Sequence, residues 1–105
     1  MKIIAIAATL VALLATPVCA GQMAESQIKL FQFQPKEISV KAGTTIKWTN
    51  GDDIDHSVTS KEQGQFDSGF FKKDGTYEFT FATPGTYEYF CKRHPSMKAK
   101  VVVTE

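Results

Sequence analysis

From Gln27 to Val103, apolar residues recur at every second position in short runs, and Gly, Pro or Asn closes most of them. Glu37-Ile38-Ser39-Val40-Lys41 and Thr76-Tyr77-Glu78-Phe79-Thr80-Phe81 alternate, and Thr44 to Thr49 sets Ile46 and Trp48 on one face against Thr45, Lys47 and Thr49 on the other. Gln27 to Leu30, Thr86 to Cys91 and Lys98 to Val103 read as further strands, with Ala42-Gly43, Asn50-Gly51-Asp52-Asp53 and Thr83-Pro84-Gly85 as turns. A period of two is that of a strand with one face in a core and the other in water, and no stretch keeps a helical apolar period for three turns. Residues 61–75 read as a long loop or a short helical turn, and the polar residues 21–26 as a loose lead-in. The pattern specifies an all-β sandwich of about seven or eight strands.

The first twenty residues follow another rule. Met1-Lys2 is a positive start, Ile3 to Ala15 is apolar except for Thr9, and Val18 and Ala20 are the small residues that set a cleavage site. This is the layout of a secretory signal peptide (1–20) cut after Ala20 and followed by one domain (21–105). A membrane anchor fits less well because the apolar run is short for a span, and Thr16-Pro17-Val18 does not match a lipid-attachment site at Cys19. The expected location is the periplasm, with no stable membrane association.

Export changes the arithmetic of the chain. Losing Lys2 reduces the 12 basic residues to 11, which balance the 11 acidic ones, so composition gives no case for nucleic acid as a partner. Losing Cys19 leaves Cys91 alone, so the exported chain contains no internal disulfide. A lone thiol in an exported protein requires a reason, such as an intermolecular bridge, a reactive nucleophile or a metal.

Cys91-Lys92-Arg93-His94-Pro95-Ser96-Met97 places a thiol, an imidazole and a thioether at steps of three between two strand signals. His56, the only other histidine, follows the Asn50–Asp55 turn. Taken singly, each residue has a commoner fate: an inert buried Cys, a surface His, a Met filling core. Together they form the ligand set of a blue-copper centre, in which two imidazoles and a thiolate make a plane and a distant Met completes it. Thiolate and thioether favour Cu(I), imidazole serves both oxidation states, and a stiff sandwich that changes little between them suits one-electron transfer. A copper buffering or delivery protein is the alternative, but such sites tend to be Met- or His-rich and open. A Cys–His hydrolase needs a cleft and an orienting third group, and zinc gains little from Met.

These residues carry a family resemblance across the exported chain. Val40-Lys41-Ala42-Gly43, Ile46-Lys47-Trp48-Thr49-Asn50, Asp55-His56-Ser57-Val58, Phe79-Thr80-Phe81, Pro84-Gly85-Thr86-Tyr87 and Lys100-Val101-Val102-Val103 resemble the cupredoxins, the type 1 blue copper proteins. The short Cys-x-x-His-x-x-Met loop is similar to that of amicyanins, whereas plastocyanin and azurin have longer spacings. The resemblance implies a two-sheet Greek-key sandwich with the metal at one end, one copper ion on His56, Cys91, His94 and Met97, and electron transfer rather than catalysis. It implies a tyrosine corner at Tyr87, and a monomer exchanging electrons with redox proteins: an amine dehydrogenase as donor and a c-type cytochrome as acceptor. Ser57 stands where the family usually has Asn, which implies a shorter tie between the ligand loops. Lys92-Arg93 replaces Thr-Pro and Asp55 replaces Pro. The Arg93 N–H is expected to reach Cys91 Sγ and, with the added charge, to raise the reduction potential.

The resemblance also places one edge of His94 at the surface as the electron port, with Pro95, Ile54, Phe31 and one of Phe70 and Phe71 around it. Lys92, Arg93, Lys98 and Lys100, with Lys72 and Lys73, are expected to form a basic rim that steers toward an acidic redox partner. Asp52, Asp53 and Asp55 near His56 would offset it locally.

Overall fold

Thr44–Asn50 (β4) buries every second residue, namely Thr44, Ile46, Trp48 and Asn50, and leaves the residues between them part-exposed. That alternation fixes which way the strand faces, because a slip of one residue would turn Trp48 out into solvent. The computed structural model describes residues 21–105; the expected signal peptide lies outside the described residues.

Around β4 the chain forms Met23–Lys29 (β1), Gln32–Gln34 (β2), Glu37–Lys41 (β3), Thr59–Ser60 (β5), Thr76–Phe81 (β6), Gly85–Phe90 (β7) and Lys98–Thr104 (β8). One sheet has the order β2-β1-β4-β6 and the other β3-β8-β7-β5. The β1/β4 and β3/β8 pairs are parallel and the others antiparallel. The chain crosses between sheets after β2, β3, β4, β5 and β6, which makes the expected all-β Greek-key sandwich.

One expectation needs correction, and one alternative is decided. Residues 21–26 are not a loose lead-in: β1 already runs from Met23, in register with β4 from Met23–Thr45 to Ile28–Asn50. The polar run Glu25-Ser26-Gln27 hides this strand, because it is held by main-chain pairing to β4 rather than by an alternating apolar face. Residues 61–75 form a loop without a helical turn. Thr59 bridges to Asp67 and His56 to Phe71, while Phe66 is buried in the core.

Trp48 lies in the middle of that core. Its ring stacks on Tyr77 and Phe66 and meets Tyr89 and Phe81 edge-on, and its Nε1–H donates to the Tyr89 hydroxyl at 3.2 Å. In so small a domain these aromatics supply a large share of the buried apolar area. Tyr87 forms the expected corner by donating its hydroxyl to Thr83 O at 2.6 Å. The last β7–β8 pair is Phe90–Lys98, so residues 91–97 form the loop of a hairpin. The β4–β5 connection runs beside it, joined to the segment before β6 by the His56–Phe71 bridge.

Candidate metal centre

Two main-chain bonds shape the 91–97 loop. The Cys91 N–H donates to Met97 O at 3.1 Å and the Met97 N–H to His94 O at 2.8 Å. A tight turn thus brings residues at steps of three together, with Cys91 and Met97 buried and His94 only partly so. His56 arrives fully buried from the β4–β5 connection, its own N–H and C=O both bonded to Phe71.

Donor atoms of His56, Cys91 and His94 all lie within 4.8 Å of one another. Cys91 Sγ is 3.6 Å from His56 Nδ1, and the two imidazole centroids are 5.7 Å apart. Met97 sits on the same loop, its side chain buried and its backbone bonded to the loop's other two site residues.

Proton placement follows from the neighbours. His56 Nε2 lies 3.0 Å from Asp52 Oδ2. A carboxylate accepts, so the ring proton is on Nε2 and the Nδ1 lone pair faces the sulfur. His94 Nδ1 is buried and has no hydrogen-bond partner. Cys91 Sγ accepts the Ser57 N–H at 3.4 Å. Two nitrogen donors and a sulfur, buried and turned toward one another, fit a soft or borderline transition metal and would suit calcium or magnesium poorly.

Ser57 makes the tie that its shorter side chain put in question. Its hydroxyl accepts the Lys92 N–H at 2.9 Å and pairs with Thr59 Oγ1 at 2.9 Å. The Arg93 N–H contact to Cys91 Sγ is not formed; the Arg93 guanidinium instead lies 5.5 Å from the Phe70 ring centroid.

Sequence reasoning missed the support beneath His56. Asn50, fully buried at the end of β4, donates through Nδ2 to Ile54 O and Phe71 O and accepts the Asp52 N–H at 2.8 Å. Burial pushes the Asp52 carboxyl up, but the Phe31 and Leu30 N–H groups and His56 outweigh it and hold it below the usual 3.8. The available signal was an Asp four residues before one of only two histidines.

On the outside, Phe31 is 47% exposed and meets both His56 and His94 edge-on, with centroids at 5.3 and 4.9 Å. Phe70 is 52% exposed while Phe71 turns inward, as strand alternation requires, and Leu30, not foreseen, is 73% exposed. The basic rim is partly neutralised: Lys92 pairs with Asp67, Lys73 with Asp53 and Lys100 with Glu37. Among the described residues Arg93, Lys72 and Lys98 have no carboxylate partner.

Comparison with known proteins agrees with this geometry. The profile of the copper binding proteins, plastocyanin/azurin family, matches residues 20–104. Amicyanin-alpha of Methylorubrum extorquens is 34% identical over 118 residues, covering 98% of this chain and 99% of that protein. Amicyanin of Paracoccus versutus is 36% identical over 80 residues, covering 72% of this chain and 61% of its own. A purple cupredoxin from Nitrosopumilus maritimus superposes with a TM-score of 0.73 at 26% identity, over 77% of this chain and 99% of that one. With a His₂Cys cluster, buried but for part of His94, on the loops of a Greek-key sandwich and a family match over nearly all the described residues, the chain belongs to the plastocyanin/azurin family of copper binding proteins.

Proposed function

We propose that this chain is an exported blue-copper electron carrier. One copper ion is held by Nδ1 of His56, Sγ of Cys91 and Nδ1 of His94, with Met97 as the weak fourth ligand. The observation that carries this reading is the buried, unpartnered Nδ1 of His94 beside the Cys91 thiol and the His56 lone pair. The bound metal supplies one-electron Cu(I)/Cu(II) chemistry.

The chain does the rest. Asp52 fixes the His56 proton on Nε2, and the Ser57 hydroxyl, accepting the Lys92 N–H, holds the two ligand-bearing loops together. His56 and Cys91 are sealed from water, so His94 is the ring through which an electron leaves. Phe31 beside it, with the exposed Leu30 next to Phe31 in the chain and Phe70 against Arg93, suits brief docking with a redox partner. By likeness to amicyanins, that partner is an amine dehydrogenase on the donor side and a c-type cytochrome on the acceptor side. Residues 1–20 act as the export signal, which puts the exchange in the periplasm.

Adding Cu(II) to the purified apoprotein is expected to give an intense thiolate-to-copper absorption band in the visible, and Cys91→Ser to abolish it. A colourless wild type would overturn the reading. Reversible one-electron cycling without copper loss is expected of a carrier, whereas a delivery protein releases the metal to a chelator after reduction.

A further inference from the structure

The Asp52 carboxylate receives three donors from two separate segments. Leu30 N–H donates to Oδ1 at 2.8 Å, Phe31 N–H to Oδ2 at 2.9 Å, and His56 Nε2–H to the same Oδ2 at 3.0 Å. Leu30 and Phe31 both adopt left-handed backbone, with φ of 55° and 59°. Such backbone is strained for any residue but glycine. Leu30 is 73% and Phe31 47% exposed, and neither belongs to the hydrophobic core, so core packing does not impose the conformation. The structure supplies another cause in the paired N–H groups, which this turn aims at one carboxylate. Asp52 is itself anchored, since its backbone N–H donates to Oδ1 of the buried Asn50 and the N–H of the preceding Gly51 donates to Ile28 O at 2.7 Å.

The turn then returns to the site by a second route. The Phe31 ring meets the edges of both His56 and His94. The same carboxylate therefore orients His56 from behind and, through the turn, sets the aromatic ring that covers both imidazoles in front.

We propose that Asp52 is a positioning residue that locks the orientation of His56 and the exposed Leu30–Phe31 docking turn as one unit, so that neither loosens without the other. This rests on the blue-copper reading for its purpose, but not for its geometry. Its consequence for electron transfer is a port whose inner ring and outer contact surface stay in register, which limits reorganisation when a partner docks on Leu30 and Phe31.

Asp52→Asn keeps the size and leaves a single acceptor oxygen for three donors. In the Cu(I) protein, hydrogen exchange by NMR is expected to be at least tenfold faster at the Leu30 and Phe31 amides and at His56 Nε2–H together. The reduction potential is expected to rise, because the imidazole loses its anionic partner. Exchange and potential both unchanged in a blue Asp52→Asn protein would overturn the proposal and leave the copper reading intact. If that variant does not fold, the wild type still decides: the three protons are expected to share one protection factor within tenfold, and a wider spread would show that they open independently. A colourless wild type would overturn the copper reading, while amide protection would continue to test the coupling.

Discussion

The Ser57 hydroxyl accepts the Lys92 backbone N–H at 2.9 Å, and the Ser57 N–H points back to Cys91 Sγ at 3.4 Å. A single residue thus braces both sides of the junction between the His56 and Cys91 segments. The hydroxyl is short, but Thr59 Oγ1 at 2.9 Å holds its orientation, so it reaches as far as the junction requires.

Ser57→Ala leaves the Lys92 N–H and Thr59 Oγ1 without this partner in a mostly buried place. The expected loss is about 1–3 kcal/mol in urea unfolding of the apoprotein, with copper released faster to a chelator. Ser57→Asn, which can span the same junction, is expected to retain the release rate. Equal stability and release in Ser57→Ala would show that the tie is incidental.

Much of this was written in the sequence, and the parts that were not have a common cause. Ile46, Trp48, Phe79, Phe81, Val101 and Val103 announce their strands because each puts a side chain into the core. Cys91, His94 and Met97 were legible because their spacing is local and each side chain has few other uses. By contrast, β1 is held by main-chain pairing, and Asp52 is bonded to Leu30 and Phe31 more than twenty residues away. Such long-range polar contacts leave no periodic trace. Arg93 fell between these cases: its charge was visible, but its stacking on Phe70 depends on where the 61–75 loop runs.

Burial pushes the Tyr89 phenol up to about 12, and the hydrogen bonds from Trp48 and Ser26 only partly offset it. The folded protein therefore holds this proton more tightly than the unfolded chain, whose phenol titrates near 10. Tyr89 contributes its full stability below pH 10 and loses it as pH rises through 12. The loss is about 2–3 kcal/mol across that window. Urea unfolding at pH 9.5 and 11.5 spans most of that window and measures about 1.5–2 kcal/mol of it. In Tyr89→Phe the drop is expected to shrink by that amount, on a baseline lowered by the stranded Trp48 N–H. An unchanged drop would mean that the phenol titrates normally.

Paired lysines carry little field beyond their partners, so the positive field of the rim comes mainly from Arg93, Lys72 and Lys98, which would carry the expected steering toward an acidic redox partner. Arg93→Gln is expected to slow the bimolecular electron-transfer rate several-fold at low salt and to flatten its dependence on ionic strength. Lys73→Gln, which removes a cation already paired with Asp53, is expected to change both much less. Equal effects of the two variants would spread the steering evenly over the rim.

Gly75 lies under the loop that feeds β6. A Cβ there would sit 2.9 Å from Lys72 O and 3.3 Å from Phe71 Cβ. The first neighbour is backbone and cannot yield cheaply, and Gly75 O accepts the N–H of Asn50, which supports Asp52. Gly75→Ala is expected to cost about 1–3 kcal/mol in thermal or urea unfolding, whereas Gly64→Ala, with open space at its Cβ but a left-handed φ of 90°, should cost about 1 kcal/mol from strain alone.

Copper removal tests the site against the fold. The apoprotein buries an unpartnered imidazole nitrogen and a thiol with a single weak donor, so the ligand end contributes little stability of its own. A metal that binds only the folded chain adds RT ln(1 + [L]/Kd), about 4 kcal/mol when free metal exceeds Kd a thousandfold. The copper-loaded protein is expected to melt well above the apoprotein. Cys91→Ser should melt near the apoprotein with or without copper, because it lacks the thiolate that the proposed site needs. Met97→Leu fills the same buried space without a sulfur, so it should keep most of the copper-induced rise while shifting the reduction potential. If Met97→Leu lost the rise as fully as Cys91→Ser, the thioether would be a principal ligand rather than a weak fourth one.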